Sequence, residues 1–282
     1  MTRLTLESAM VCGACSHTGR VRENNEDSFR AEPELNLFVL SDGMGGMASG
    51  EVASRLTVDA VVTHCREADV NPSVPYIGKP FDGVTPITNR LASGVRLASR
   101  IVNRAARKHE AHRGMGATVV AVRCVDERVS IAHVGDSRVY LLRDDRLEQV
   151  TQDHSFTAEH VRHRRSAKHD AEVRGLQSLL TRAIGVEEAV EVDVNEEVVL
   201  GTDTLLLCSD GLTRELSDFE IATLLKETED VQEAADRLVR LANEKGGGDN
   251  ITAIVLRQRP LTGLFSGIRR LGRWFWGRRA QT

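Results

Sequence analysis

Four short β-rich segments in direct succession constrain the fold of this chain most strongly. They read ATVVAVRCVD, RVSIAHVGDS, RVYLLRDD and RLEQVTQD, and together they occupy residues 117–153 with only tight turns between them. Strands this close in sequence favour antiparallel pairing, because a parallel connection needs a crossover of about a dozen residues or more. The pattern predicts a four-stranded meander and, with it, a chain built around antiparallel sheet.

Further strands and three helices are predicted on either side of this region. Strands are expected at 6–15, 36–41, 190–199, 204–208 and 251–257, and helices at 51–65, 88–110 and 230–243. Asp230 and Glu233 form the signature of a helix N-terminus, with Asp230 as the capping residue. The stretch 67–86 holds four of the six prolines and is predicted to be a surface loop.

Size and composition exclude several classes of protein. The chain has 282 residues, 41% of them hydrophobic, and a net charge of −4, which suits a packed core and not a disordered protein. The sequence contains no apolar run of roughly 18 residues and no secretory signal, so a cytoplasmic location is expected. Five cysteines do not suggest a disulfide framework. For the single CxxC of Cys12 and Cys15, burial in a strand is favoured over a metal or redox site.

Charge is distributed unevenly along the chain. Residues 257–282 contain seven arginines and no acid, and since the whole chain carries −4, the first 256 residues carry −11. An acidic body argues against a nucleic-acid-binding protein. We therefore divide the chain into a domain at 1–257 and a basic aromatic tail at 258–282. The tail composition is typical of a peripheral membrane helix at the inner membrane face, of a helix docked on the body, or of an unstructured basic segment.

Carboxylates recur where apolar segments end, each beside turn residues. They are Asp42, Asp136, Asp210 and Asp249, with Asp27 in the segment RENNEDSF. A single Asp after a strand is ordinary turn chemistry, but five gathered at one edge would repel one another unless cations neutralised them. Carboxylate and carbonyl oxygens suit Mg²⁺ or Mn²⁺, whereas the scattered His and Cys disfavour zinc.

Hard cations beside an arginine indicate phosphoryl chemistry. Two metal ions can activate a water for attack on phosphorus while they screen the charge of the phosphate. Arg22 lies five residues before Asp27 and has a guanidinium fork that suits phosphate oxygens. The sequence contains neither GxSxG nor a cysteine followed by a phosphate-cradling loop. Water is therefore the expected nucleophile.

Seven short motifs, in order, carry a specific family resemblance. They are RxxNED at 22–27, SDGMGG at 41–46, GMGAT at 114–118, VGDSR at 134–138, TQDHS at 151–155, SDGL at 209–212 and GGDN at 247–250. Over roughly 10–257 the chain resembles the bacterial branch of the metal-dependent Ser/Thr protein phosphatases, the type-2C or PPM family. The resemblance implies an α+β fold, a four-layer αββα sandwich in which two antiparallel sheets pack face to face with helices on both outer sides.

The same resemblance implies roles for the acidic residues. Asp42 resembles the carboxylate that bridges two metal ions, and the Gly43 carbonyl resembles a ligand of one of them. Asp210 and Asp249 resemble ligands of the other ion. Asp136 corresponds to a third, weaker metal position found in bacterial members. Two Mn²⁺ or Mg²⁺ ions are therefore expected, with a third left open.

Other motif residues are expected to support the metals or bind substrate. Asp27 and Glu26 match acidic positions that hold waters of the metal shell, and Asn250 is expected to support the ligands. Arg22 matches the phosphate-binding arginine, so Arg22 and Asp27 are the expected catalytic residues. Thr118 is interpreted as core and turn chemistry.

Two positions depart from the family pattern. Arg214 stands where many relatives carry an acid that helps bind the third metal, which predicts a weak or absent third site. Met44 stands where some eukaryotic members carry a histidine as candidate general acid, so the proton must come from another source. His154 is one candidate, although anchoring of a flap at 154–175 is the favoured role for this residue.

The leading interpretation is a protein phosphatase that hydrolyses phosphoserine and phosphothreonine and opposes a bacterial Ser/Thr kinase. Alternatives are a phosphatase for another phosphoester and a catalytically weak phosphoprotein-binding module, which the retained metal aspartates disfavour. The segment SDGLTRELSD resembles phosphatases associated with type VI secretion. The basic flap is expected either to recruit acidic phosphopeptides or to be a solvated face.

Overall fold

The computed structural model describes residues 10–46, 49–156, 158 and 179–258. Its strands are β1 Met10–His17, β2 Asp27–Glu32, β3 Leu37–Met44, β4 Gly116–Ala117, β5 Val119–Val125, β6 Arg128–Val134, β7 Arg138–Arg143, β8 Arg146–Gln149, β9 Asp193–Val198, β10 Thr204–Cys208 and β11 Ile251–Gln258. Its α-helices are α1 Ser49–Val70, α2 Pro86–Lys108, α3 Asp210–Glu215, α4 Asp218–Glu227 and α5 Val231–Lys245. The basic tail from residue 259 onward and most of the predicted flap lie outside the described residues, while Gln258, the first residue assigned to the tail, belongs to β11.

The strands form two antiparallel sheets. One sheet has the order β1-β11-β10-β7-β8, and the other has the order β2-β3-β5-β6-β9, with β4 paired to β3. Helices α1 and α2 pack on the second sheet, and α5 packs on the first. The predicted four-layer α+β sandwich is confirmed.

Alternation along the strands explains why the sheets stack. On β3, Leu37 and Val39 join the core beneath α1 and α2, whereas Phe38 and Leu40 join the core between the sheets. Successive side chains of a strand point to opposite faces, so a strand with apolar residues at every position must be covered on both sides. Strands β5, β10 and β11 divide their side chains in the same way.

The predicted four-stranded meander is wrong. Strands β5 and β6 pair in one sheet, while β7 and β8 pair in the other. The chain crosses between the sheets in the turn after Val134, where Gly135 adopts φ of +105°, a conformation that favours glycine. Alternating apolar residues specify buried faces but not the partner strand, and for that reason the pattern could not reveal the crossing.

The helix predictions were accurate in position and less so in extent. Helix α1 continues to Val70, into the predicted loop, and α3, α4 and strand β2 were not predicted. The Asp230 side chain accepts a hydrogen bond from the Glu233 N–H and caps α5, as expected. Among the described residues, no helix is long and apolar enough to cross a membrane.

The CxxC cysteines occupy opposite sides of β1. Cys12 packs against the core between the sheets, and Cys15 packs against the core beneath α5. Two side chains on opposite faces of one strand cannot converge on one metal ion. Burial also raises the pKa of each thiol to about 11, which disfavours the reactive thiolate. The buried structural interpretation of this motif is therefore supported.

Strand register brings the predicted acids to one edge of the sandwich. In one sheet, Asp42 at the end of β3 lies opposite Asp27 at the start of β2. In the other, Cys208 at the end of β10 lies between Arg138 and Ala253, near the starts of β7 and β11. The residues that follow β6 and β10 and precede β11 therefore meet at this edge. They include three of the predicted acids: Asp136, Asp210 and Asp249.

Candidate metal centre

The acids surround a cavity of about 290 Å³ at this edge. Of the predicted site residues, all but Asp27 line it. The full set of lining residues is Arg22, Glu26, Asp42, Gly43, Met44, Gly45, Thr118, Asp136, Leu180, Asp210, Arg214, Asp249 and Asn250. The structure thus brings together residues that are up to 228 positions apart in sequence, between Arg22 and Asn250.

Thr118 fixes the backbone of Asp42. The Asp42 N–H donates to Thr118 Oγ1 at 3.0 Å, and the Thr118 N–H donates to the Asp42 carbonyl at 2.8 Å. Thr118 Oγ1 also lies 2.6 Å from Ser137 Oγ, in the turn that carries Asp136. The hydroxyl of Thr118 therefore connects the segment that carries Asp42 to the turn that carries Asp136. The core and turn role predicted for Thr118 thus also positions two of the acids.

Asp27 is buried, does not line the cavity, and is held by two hydroxyl groups. Its Oδ2 accepts hydrogen bonds from Ser209 Oγ at 2.8 Å and Thr252 Oγ1 at 2.6 Å. Its Oδ1 is buried and has no hydrogen-bond partner. Since an unpaired buried carboxylate oxygen is costly, this atom needs a water or a cation.

Close backbone approach explains Gly43. A Cβ on Gly43 would lie 2.0 Å from the carbonyl oxygen of Gly50, near the start of α1. The Gly43 N–H donates to the Glu26 carbonyl at 3.1 Å. The Glu26 carboxylate in turn is held by the backbone of Gly50. Only glycine leaves enough room here for β3, α1 and the Glu26 loop to meet.

Asn250 holds the loop that carries Arg22 and Glu26. Its Oδ1 accepts from the Glu26 N–H at 2.8 Å, and its Nδ2 donates to the carbonyls of Thr18 and Asn24, each at 2.9 Å. Asn250 is buried and uses both ends of its amide in these contacts. It therefore positions the loop beside Asp249, which is the supporting role expected of it.

Two arginines converge on Asp249. Arg22 approaches with Nε and Nη2, each at 2.9 Å from a carboxylate oxygen. Arg214 Nη1 lies 2.8 Å from Asp249 Oδ2, and its Nη2 forms an ion pair with Asp210. The fork of Arg22 is thus engaged with a carboxylate, while Arg214 places positive charge between two of the predicted ligands.

Burial and mutual repulsion raise the pKa values of the clustered acids. Desolvation, followed by the charges of Asp27 and Asp210, raises the pKa of Asp42 well above its usual value. Desolvation is also the main cause that raises the pKa of Asp27 and that of Asp136, each to about 7. The pKa of Asp210 is likewise raised by desolvation, although Arg214 opposes this shift.

These carboxylates fit a divalent cation. Asp210 Oδ1, like the Oδ1 of Asp27, is buried without a hydrogen-bond partner. A cation would pair with such oxygens and stabilise the ionised form of every acid around it. The donors are oxygen atoms of carboxylates and a nearby backbone, the set that Mn²⁺ and Mg²⁺ prefer.

His154 lies outside this cavity, in a separate buried cluster with His133 and Asp193. The His154 ring is fully buried, stacks on His133 with 4.8 Å between centroids, and places Nε2 3.2 Å from Asp193 Oδ2. Its Nδ1 accepts the Gly135 N–H at 3.1 Å, so its proton is on Nε2 and faces Asp193. The three side chains are close enough to hold one metal ion. A protonated Nε2, however, has no lone pair with which to bind that ion.

His154 anchors the base of the predicted flap. Its N–H donates to the Gly135 carbonyl, and its own carbonyl accepts from Thr181, each at 2.9 Å. It therefore joins the turn before Asp136 to the two ends of the segment whose middle, 157 and 159–178, lies outside the described residues. Because the ring does not line the cavity, anchoring is better supported than a role as general acid.

The hydroxyl groups that hold the acids were not identified from the sequence. Ser137 and Ser209 directly flank Asp136 and Asp210, while Thr252 lies two residues after Asn250. Their positions within or beside the motifs were the available signal. Leu180 lines the cavity from a segment with no recognised motif, and no pattern in the sequence marked it.

Comparison with known proteins gives consistent results. The family model Protein phosphatase 2C matches residues 16–255. A serine/threonine phosphatase stp of Listeria welshimeri is 35% identical over 243 residues, which cover 85% of this chain and 92% of the relative.

Solved structures agree with the sequence relatives. One is PppA, a key regulatory component of T6SS in Pseudomonas aeruginosa, with a TM-score of 0.74 and 32% identity over 89% of this chain and 99% of that chain. Another is the catalytic domain of the serine/threonine protein phosphatase PstP in complex with two manganese ions. Its TM-score is 0.73, with 34% identity over 88% of this chain and 97% of that chain.

The anchoring role of His154 predicts a loss of stability in His154→Ala. The variant leaves the buried Gly135 N–H without its acceptor, which should lower the free energy of unfolding by about 1–3 kcal/mol. His17→Ala is a matched control, since His17 Nδ1 accepts the Gly19 N–H at 2.9 Å in an exposed position where water can replace it. Urea denaturation measures both, and equal losses in the two variants would contradict the anchoring role.

Proposed function

The chain belongs to the protein phosphatase 2C family and is a metal-dependent serine/threonine protein phosphatase that acts on phosphoproteins. We propose below which of its residues perform the reaction. Asp42, the Gly43 carbonyl, Asp210 and Asp249 hold two Mn²⁺ or Mg²⁺ ions. The observation that carries this assignment is the cluster of repelling carboxylates around one cavity, with buried oxygens that lack hydrogen-bond partners. When bound, the ions lower the pKa of water and screen the phosphate charge.

Asp27 orients the attacking water in this proposal. Its Oδ2 is engaged by Ser209 and Thr252, so only Oδ1 is left to accept a hydrogen bond from a water molecule. Glu26 supports the same region from the loop that Asn250 holds in place. A carboxylate locked at one oxygen presents the other in a fixed direction, and such preorganisation favours the transition state over the free substrate.

Arg22 binds the phosphate of the substrate. Because Nε and Nη2 contact Asp249, Nη1 is the nitrogen that remains for a phosphate oxygen. Arg22 is half-exposed, with 51% of its side-chain area accessible, at the mouth of the cavity where a phosphoryl group must enter. In this proposal Arg22 therefore has two contacts: it orients Asp249 through Nε and Nη2, and it orients the substrate phosphate through Nη1.

Arg214 limits the centre to two ions. Its guanidinium lies between Asp210 and Asp249 and opposes the rise that desolvation causes in the pKa of Asp136, the acid of the expected third position. A fixed positive charge there repels a further cation. The positive charge of the Arg214 guanidinium would therefore replace part of the positive charge that a third metal ion would bring.

A cognate Ser/Thr kinase is the proposed counterpart of this enzyme. The relatives are named serine/threonine phosphatases, and removal of a phosphoryl group from a protein presupposes an enzyme that adds it. The likeness to PppA suggests substrates in a T6SS assembly as one candidate group. A comparison of the phosphoproteome with and without the gene tests both points.

The proposed metal-holding role of Asp42 predicts the loss of at least one metal ion in Asp42→Asn. Mutations around metal ligands cost about 10–100-fold in affinity or activity, so removal of this ligand should lower kcat for p-nitrophenyl phosphate at least about 100-fold. Calorimetric titration with Mn²⁺ gives the number of ions, which should be two in the wild type. Asp82→Asn, at an exposed loop position, is the control. An unchanged kcat at saturating Mn²⁺ would contradict the assignment.

The proposed phosphate contact of Arg22 predicts a higher KM in Arg22→Ala. Loss of a charge-assisted hydrogen bond of about 1.5–3 kcal/mol corresponds to a rise of roughly ten- to hundredfold in KM for a phosphopeptide. The Mn²⁺ concentration for half-maximal activity is measured in the same variant, since Arg22 also holds Asp249. Arg30→Ala removes a surface ion pair with Asp59 and is the control. A changed metal requirement with an unchanged KM would refute phosphate binding.

For the tail at 258–282, which lies outside the described residues from 259 onward, we propose contact with an anionic membrane surface. Both tryptophans and six of the last seven arginines lie there, a composition typical of interfacial segments. The full chain should bind vesicles of anionic lipid with a Trp blue shift that salt weakens, whereas a chain of residues 1–258 should not. Equal partitioning of both chains would refute membrane contact.

A further inference from the structure

A second cavity, of about 590 Å³, opens beside the C-terminal end of α2. We refer to it as the basic groove. It is lined by Asn103, Ala106, Arg107, Lys108, Glu110, Arg113, Gly114, Gly185 and Val186. These residues come from α2, from the turn that leads into the GMGAT motif, and from the segment after β8 that returns to the metal cavity.

The groove carries positive charge that is not neutralised within the described part of the chain. The side chains of Arg107 and Lys108 are exposed, and neither side chain forms an ion pair or hydrogen bond with a described residue. Arg113 and Glu110, by contrast, pair with each other at 3.4 Å. The lining therefore has two uncompensated cations, although the first 256 residues of the chain carry a net charge of −11. Such a local reversal of sign attracts anionic groups.

The wall of the groove is held in place by hydrogen bonds. Asn103 Nδ2 donates to the carbonyls of Gly185 and Val186 at 2.9 and 3.3 Å, and the Gly185 N–H donates to Ser99 Oγ at 3.1 Å. A Cβ on Gly185 would lie 2.2 Å from Val102 Cγ1, which shows how closely this segment is packed on α2. A preformed wall lowers the entropy that a bound segment must lose.

One layer of side chains separates the groove from the metal cavity. A Cβ on Gly116 would lie 2.6 Å from Met44 Cε and 3.3 Å from Val186 Cγ2. Met44 lines the metal cavity, whereas Val186 lines the groove and is 58% exposed. An extended chain gains about 3.3 Å per residue, so a peptide with its phosphate in the metal cavity reaches the groove within a few residues.

We propose that the basic groove binds acidic residues of the phosphoprotein substrate a few positions from the phosphorylated residue. The proposal rests on the phosphatase function and adds a sequence preference to it. Arg107 and Lys108 would pair with the substrate carboxylates, and Val186 offers an apolar contact between them and the phosphate. This proposal is separate from the recruiting role considered for the flap, most of which lies outside the described residues.

Both cations also have a structural role that needs no substrate. Arg107 and Lys108 lie in the last turn of α2, where positive charge interacts favourably with the helix dipole. That interaction stabilises the helix and is independent of the substrate. Only a substrate contact would make the effect of these residues depend on acidic residues in the peptide.

The test compares phosphothreonine peptides with acidic and with neutral flanking residues. The wild type should prefer the acidic peptide in kcat/KM by about two- to thirtyfold at low salt, as expected for two exposed ion pairs, and the preference should fall at high salt. The double variant Arg107→Gln/Lys108→Gln should lose the preference. Its kcat/KM for p-nitrophenyl phosphate, which has no flanking residues, should stay unchanged.

Arg146→Gln/Arg240→Gln is the matched control, because both arginines are exposed and belong to elements of the other sheet and its helix layer. This control should keep the peptide preference. The groove proposal is overturned if the wild type shows no preference, if the groove variant keeps it, or if the groove variant loses activity on both kinds of substrate alike. Failure of the phosphatase function itself would look different, since the wild type would then fail to hydrolyse p-nitrophenyl phosphate with Mn²⁺.

Discussion

Repulsion between carboxylates at the edge where the two sheets meet is the constraint on which the site depends. Desolvation raises the pKa values of Asp27, Asp42, Asp136 and Asp210, and the charge of at least one neighbouring aspartate raises each of them further. A fold that gathers such groups without a cation stores unfavourable electrostatic energy. Metal ions bound at the proposed site would therefore stabilise it, and their charge would make the site suitable for a phosphate.

Hydroxyl and amide groups, not the acids themselves, determine where the carboxylates point. Thr118 holds the backbone of Asp42, Ser209 and Thr252 hold Asp27, and Asn250 holds the loop that carries Arg22. These partners come from strands of both sheets or from the turns beside them. A change in how the sheets pack would therefore move the ligands relative to one another, which links the stability of the sandwich to the geometry of the centre.

Arginines lie both within this acidic edge and in the groove beside it. Arg22 and Arg214 contact the carboxylates directly, whereas Arg107 lies in a separate groove one side-chain layer away. On a body with net charge −11, the exposed cations of the basic groove are a local reversal of sign that attracts anionic groups. Phosphate recognition and the proposed preference for acidic peptides then follow from the same electrostatic arrangement.

The sequence by itself determined the building units and the chemistry of the centre. Apolar, β-rich runs located most strands, and the motifs led to the prediction of five aspartates, Gly43 and Arg22 as site residues, because these features are local in sequence. Tertiary structure alone decided that β5 and β6 belong to a different sheet from β7 and β8, that Arg214 lies between Asp210 and Asp249, and that Leu180 lines the cavity. Local patterns specify which faces of a segment are apolar or charged, whereas the partner of each face depends on contacts between residues far apart in the chain.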